Sequence, residues 1–192
     1  MPSVVKAERA LLDGDEVQQA LRQMAADILA LPWPRDAALG PDARPRPWLV
    51  GIHRGGVQVA RELAEIVAQN QGWRPAVGTL DITLYRDDTW LKGPHAVEAS
   101  TRLPGDANGQ RIVLCDDVLF TGRTVRAALS LLLDFGRPEA VRLAVLLDRG
   151  GRELPMAADV VGRQVQVGVD ESVELRYEPD GRIAQVHVER RK

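Results

Sequence analysis

What this chain lacks narrows its chemistry before any motif is read. It has one cysteine, Cys115, in 192 residues, so no intrachain disulfide can form. A lone thiol inside an apolar run is usually a small core hydrophobe. A chain without a disulfide framework is expected in a reducing cytoplasm. Charge of one sign is lacking too: 25 Lys and Arg face 27 Asp and Glu, a net −2. The whole surface therefore offers no electrostatic footprint for nucleic acid, and only a local basic face could supply one. No apolar run approaches about 18 residues, so no transmembrane helix and no membrane partner are expected. The first residues, interrupted by Lys6, Glu8 and Arg9, do not read as a signal peptide. Internal repeats and low-complexity segments are absent. So are the G-x-x-x-x-G-K-[ST] loop and the G-x-G-x-x-G fingerprint, which removes the two commonest nucleotide-binding signatures.

What is present centres on I-V-L-C-D-D-V-L-F-T-G-R-T-V, residues 112–125. The apolar run 112–115 predicts a short buried strand. Asp116 and Asp117 stand where that strand should end. Thr121, Gly122, Arg123 and Thr124 then make a short hydroxyl-rich loop that opens a helix. Loop amides and the helix dipole hold an anion, most naturally a phosphate. The paired carboxylates would face neighbouring hydroxyls or a metal. A ligand with a phosphate at one end and a diol beside it, such as ribose 5-phosphate, satisfies both halves. The competing reading is that the acids are solvated loop charges or a helix-capping cluster.

Elsewhere the chain alternates helix and strand. Val17, Leu21, Met24, Ile28 and Leu31 recur at helical spacing and predict a helix over residues 15–31, capped by Asp13 or Asp15. Residues 32–47 hold Pro32, Pro34, Pro41, Pro45 and Pro47 and read as a surface insert. A strand over 48–52 runs into His53, Arg54, Gly55 and Gly56 and a helix from about 57 to 70, a second candidate anion loop. A strand is expected over 77–84, followed by a polar stretch to about residue 109. That stretch is either an active-site lid or a short edge hairpin with solvated charges. A helix over 124–135 stops at Gly136 and Pro138, and strands are expected over 140–147, 164–169, 172–177 and 183–188. The alternation argues one α/β domain over residues 1–192, with a parallel sheet whose ligands bind at the carboxyl ends of its strands.

Four strings occur in order: D-I-T-L-Y-R-D-D at 81–88, V-L-F-T-G-R-T-V-R-A-A at 118–128, G-R-P at 136–138 and L-L-D-R-G-G-R-E-L-P at 146–155. Together they resemble the pyrimidine operon attenuator/uracil phosphoribosyltransferase (PyrR) family of the type I phosphoribosyltransferases. The resemblance implies an α/β fold: a central, mainly parallel sheet flanked by helices, with a small C-terminal β hood. It implies formation of UMP and pyrophosphate from uracil and phosphoribosyl diphosphate (PRPP). Asp116 and Asp117 would hold the ribose hydroxyls. Val118, Leu119, Phe120, Thr121, Gly122, Arg123 and Thr124 would form the 5′-phosphate loop, and His53, Arg54, Gly55 and Gly56 the pyrophosphate loop. Tyr85, Arg86, Asp87 and Asp88 would begin a lid, with Arg86 among the catalytic groups. Arg149 and the backbone near Val173 would contact uracil. Mg²⁺ would arrive with the substrate and need no dedicated protein cage. A homo-oligomer, a dimer or larger, is expected.

The alternative function is a UMP-sensing attenuator that binds RNA with little catalysis. A purine or orotate transferase is a third reading, against which the Y-R-D-D and D-R-G-G-R-E-L-P strings count. Two departures from the family pattern stand out. The arginine of the pyrophosphate loop is shifted by one residue, to Arg54. Gln23, Ala26 and Ala157 occupy positions of the RNA face, leaving Arg22, Arg152 and Arg163 as its bases.

Overall fold

The structure is a computed structural model and describes residues 8–34, 46–83 and 101–190. Its elements in chain order are β1 (Glu8–Leu12), α1 (Gly14–Ala30), β2 (Trp48–Ile52), α2 (Gly55–Gln71), β3 (Val77–Leu80), β4 (Arg111–Leu119), α3 (Arg123–Asp134), β5 (Ala140–Asp148), β6 (Val160–Gln164), β7 (Glu171–Tyr177) and β8 (Ile183–Arg190). Five strands form a sheet in the order β3-β2-β4-β5-β6, every pair parallel. The central strand β4 is apolar from Ile112 to Cys115 because both faces of that stretch are covered. Val113 and Cys115 join the core beneath α1 and α2, whereas Ile112 and Leu114 join the core beneath α3. That is the two-residue period of a strand sandwiched between helices.

The second sheet is antiparallel, in the order β1-β8-β7. It is the expected hood, with one addition. The N-terminal strand β1 pairs with β8, Glu8 against Glu189, so the two ends of the chain build it jointly. A single carboxylate ties hood to helices. Glu62 of α2 is buried, accepting from the Ile183 amide at 2.7 Å and from Gln18 Nε2 of α1 at 3.0 Å.

Three of the expected strands depart most from the sequence reading. β4 does not stop at Cys115 but runs through both acids, since Asp116 pairs with Val145 and Leu119 with Asp148. Backbone pairing with β5 carries the strand on, and each carboxylate also accepts the next amide, Asp117 N at 3.0 Å and Val118 N at 2.9 Å. β3 ends at Leu80, where Asp81 folds back to accept the Thr83 amide at 3.0 Å. β6 lies at Val160–Gln164 rather than 164–169, because Asp148↔Gln164 is the last pair β5 offers it.

The leading flank of the proline-rich insert is clamped near the amino ends of β4 and β5. Arg111 Nη2 donates to the Pro34 carbonyl at 2.9 Å and Arg142 Nη2 to that of Pro32 at 2.8 Å. Both guanidiniums are also paired, with Glu139 and Asp159. Residues 35–45 lie outside the described residues. Among the described residues no helix is long and apolar enough to cross a membrane.

Replacing Glu62 with Ala strands the buried Ile183 amide. The expected loss is about 1–3 kcal/mol in unfolding free energy. Urea denaturation measures it, and Glu62→Gln, which keeps one acceptor, should lose less.

Candidate active site

The site is built where two strand ends lie side by side. β2 and β4 are neighbours, with Gly51 opposite Cys115. The turn leaving β2 therefore passes directly beside the acids of β4. Only glycine fits that passage. A Cβ on Gly51 would meet Val57 N at 2.6 Å, and one on Gly56 would meet the Asp116 Cα at 2.9 Å. A Cβ on Gly55 would fall on the Asp117 carboxylate. The His53–Arg54 peptide in this turn is cis, and both side chains are exposed.

Asp116 is buried and Asp117 half-buried. A buried carboxylate is tolerated only when hydrogen-bonded, and the amide of Asp117 supplies one such bond to Asp116. Burial, reinforced by the Asp116 charge, pushes the neighbouring Cys115 thiol far up. That sulfur stays protonated, which excludes it as a nucleophile.

Gly122, at φ 89°, is the cap of α3, and no side chain caps the helix. α2 likewise starts at Arg54 without a side-chain cap, and neither helix has an acid in its first turn. α1 is the contrast. Asp13 and Glu16 close a capping box there, and Asp15 adds a second acid. Two helices thus direct their dipoles at one end of the sheet with no capping side chain and no first-turn acid, which suits an anion. Within the loop, the Arg123 amide donates to Thr121 Oγ1 at 3.4 Å, and Arg123 Nε pairs with Glu153 at 2.7 Å.

Across β5 lies the expected base side. Arg149 is buried, its guanidinium 4.1 Å from the Phe120 ring centroid. It donates to the carbonyls of Gly168 at 2.8 Å and Glu171 at 3.1 Å, so it fixes the turn that leads into β7 and Val173. A cavity of about 570 Å³ opens beside it, lined by Asp148, Arg149, Arg152, Gln164 and Val165. A larger groove, about 1000 Å³, runs between α2, β3 and the hood turn. It holds none of the candidate residues, so its size gives no reason to move the site there.

The structure thus brings together His53 to Gly56, Asp116 and Asp117, and Val118 to Thr124, with Arg149 and Phe120 alongside. Tyr85, Arg86, Asp87 and Asp88 lie outside the described residues. Among the described residues no group of three or more His, Cys, Asp and Glu side chains could hold a metal by itself. The sequence reading assigned neither of two further residues to this site. Tyr177 of the hood, about half-exposed, has its hydroxyl pKa raised by burial and then by the charge of Asp117. Arg152, read from sequence as part of an RNA face, is turned inward. Its Nη2 pairs with Asp148 at 2.6 Å and its Nη1 donates to the Phe120 carbonyl at 2.9 Å. Burial alone would raise the Asp148 carboxyl, but the Arg152 guanidinium and the Gly150 amide outweigh it and hold it below the usual range.

Residues 9–176 match the family described as the phosphoribosyl transferase domain. The chain is 44% identical to the bifunctional protein PyrR of Roseiflexus sp. over 184 residues, 95% of this chain and 96% of that one. It is 47% identical to the bifunctional protein PyrR of Chloroflexus aurantiacus over 91% of each chain. Among solved structures, a hypoxanthine phosphoribosyltransferase of Trypanosoma cruzi superposes with a TM-score of 0.64 over 96% of this chain and 97% of that one. At 18% identity, that likeness speaks for the fold alone.

Gly55→Ala should cost about 1–3 kcal/mol of stability by overpacking. Because the added methyl meets the Asp117 carboxylate, Asp117→Ala in the same chain should recover part of that loss. Thermal melts of the two single variants and the double variant form the cycle. Strict additivity would place the two side chains out of contact.

Proposed function

This chain belongs to the phosphoribosyl transferase family and, within it, to the PyrR proteins, and from that premise we propose that it is a uracil phosphoribosyltransferase. It makes UMP and pyrophosphate from uracil and PRPP. The observation that carries the reading is the seating of the Gly55–Gly56 backbone against two adjacent carboxylates, one strand away from the uncapped start of α3. A diol-binding pair and two anion-binding loops then share one edge of the sheet.

The reaction asks for little covalent help. Pyrophosphate leaves C1′ with oxocarbenium character and uracil N1 attacks. The protein positions both partners, stabilises charge on the leaving group and keeps water out. Asp116 and Asp117 accept hydrogen bonds from the ribose hydroxyls. Thr121 to Thr124 take the 5′-phosphate, and His53 to Gly56 take the pyrophosphate. Arg149 holds the turn that forms the base side near Val173. Mg²⁺ would supply positive charge for the leaving pyrophosphate. Asp117, half-exposed and a hard oxygen donor, is the side chain suited to lie beside it. The scarcity of other ligands fits an ion carried largely by substrate phosphates.

A second, regulatory reading is supported by the similarity to bifunctional PyrR proteins. Its RNA face would be thin. Arg22 and Arg163 are exposed, as are Gln23, Ala26 and Ala157, but Arg152 spends its guanidinium inside the protein. Each missing base removes part of the attraction for phosphate.

The deciding assay is UMP formation from uracil and PRPP with Mg²⁺, with hypoxanthine and orotate as controls. Turnover with hypoxanthine and none with uracil would overturn the base assignment. Asp116→Asn and Asp117→Asn should each lower kcat/KM for PRPP roughly ten- to a hundredfold, the loss of one charge-assisted hydrogen bond. Wild-type kinetics in the folded double variant would sink the ribose role. Thr121→Ala should weaken UMP and PRPP alike, since both carry the 5′-phosphate, and calorimetry reads both. For RNA, filter binding of a pyrimidine-leader hairpin at physiological salt with UMP present should show weak retention. Tight, sequence-selective binding that Arg163→Ala abolishes would instead establish the regulator.

A further inference from the structure

Residues 148–156 wrap the back of the phosphate loop and supply donors to three consecutive loop carbonyls. The Leu119 carbonyl accepts from the Arg149 amide at 3.1 Å and from Arg152 Nη1 at 3.3 Å. That of Phe120 accepts from Arg152 Nη1 at 2.9 Å. That of Thr121 accepts from the amides of Glu153 and Leu154, each at 3.0 Å. These peptide units are trans, so each carbonyl points opposite to the amide that follows it. Drawing the Phe120 and Thr121 carbonyls backward turns the amides of Thr121 and Gly122 to the opposite face of the loop. Among the described residues no acceptor takes the amides of Thr121 or Gly122.

Arg152 is the side chain that locks this arrangement. Besides the two loop carbonyls, its Nη1 reaches the Gly150 carbonyl at 3.2 Å, its Nε the Met156 carbonyl at 3.0 Å and its Nη2 Asp148 Oδ2 at 2.6 Å. The planar guanidinium spreads its donors in a rigid fork. One group can therefore span the loop, the end of β5 and the return segment at once. An ammonium, a compact point charge, cannot reach all of these acceptors together. The Asp148 carboxylate keeps the fork from rotating.

We propose that Arg152 is a positioning residue for the 5′-phosphate: it holds the loop carbonyls back so that the loop amides face the anion, and it touches neither substrate. The inference rests on the reading of residues 118–124 as the phosphate loop, and assigns Arg152 to that loop rather than to an RNA surface.

The test is steady-state kinetics and UMP calorimetry on the full chain, comparing wild type, Thr121→Ala, Arg152→Ala and Arg152→Lys. Arg152→Ala should raise the KM for PRPP and the Kd for UMP about tenfold or more, the scale of one lost charge-assisted hydrogen bond. The KM for uracil should stay within about twofold, and Arg152→Lys should fall between. A merely structural role would move both KM values together, and that result overturns the proposal. So does an unchanged UMP Kd in Arg152→Ala when Thr121→Ala weakens UMP in the same series. If Arg152→Ala does not fold, Asp148→Asn leaves the guanidinium but removes its anchor. It should show the same split at smaller size, and equal shifts in the two KM values there count against Arg152. Wild type that binds UMP no better than Thr121→Ala would remove the phosphate-loop reading itself, and this inference with it.

Discussion

Everything at the site depends on how closely one backbone turn can approach one strand. α2 begins on a turn with no Cβ at Gly55 or Gly56, and Gly51 just before it is equally crowded. The turn can therefore rest on the backbone of Cys115 and Asp116 and on the carboxylate of Asp117. Any larger residue would lever α2 away from β4 and separate the two candidate loops. The approach also falls at a particular place in the sheet. From β2 the chain crosses through α2 to β3 in one direction, and from β4 through α3 to β5 in the other, with the helices on opposite faces. The crevice between β2 and β4 is the switch point at which open α/β sheets bind their ligands.

In the proposed reading the same end of the sheet holds acids and an anion together, with backbone rather than side chains offered to the anion. α1, which faces no ligand in this reading, satisfies its first amides with its own acids. α2 and α3 carry no acid in their first turns and no side-chain cap, so their dipoles are left without a negative side chain. The carboxylates of Asp116 and Asp117 are committed along β4 instead, each bonded to the amide that follows it. Negative charge is thus fixed on the strand and positive partial charge on the helix starts, a spacing that matches a diol beside a phosphate.

Much of this was legible in the sequence because it is local. The acidic strand, the hydroxyl-rich loop, the glycine turn and the strand-helix alternation each lie within a dozen residues. What was not legible depends on distant partners. β1 is a strand because β8, some 180 residues on, accepts it. β4 runs past its acids because β5 offers paired backbone as far as Asp148. Residues 164–169 have a strand-like pattern but no neighbour left to pair with. Propensity and periodicity cannot supply a missing partner.

Arg152 shows the same limit at the scale of one side chain. An arginine in a polar, glycine-rich string reads as exposed, and a resemblance then offers it to RNA. The fold decides otherwise because the three carbonyls of residues 119–121 leave their strand at the point where the return segment passes. Carbonyls at a loop bend need donors when water is displaced, and the backbone of residues 149–154 covers only part of that need. A planar, permanently charged donor fork fills the remainder in a way no neutral side chain could. Under the proposed reading, the rear face of the loop is satisfied by Arg152 and the return segment while its forward face meets the phosphate, and Arg152 would then serve anion recognition from behind the loop.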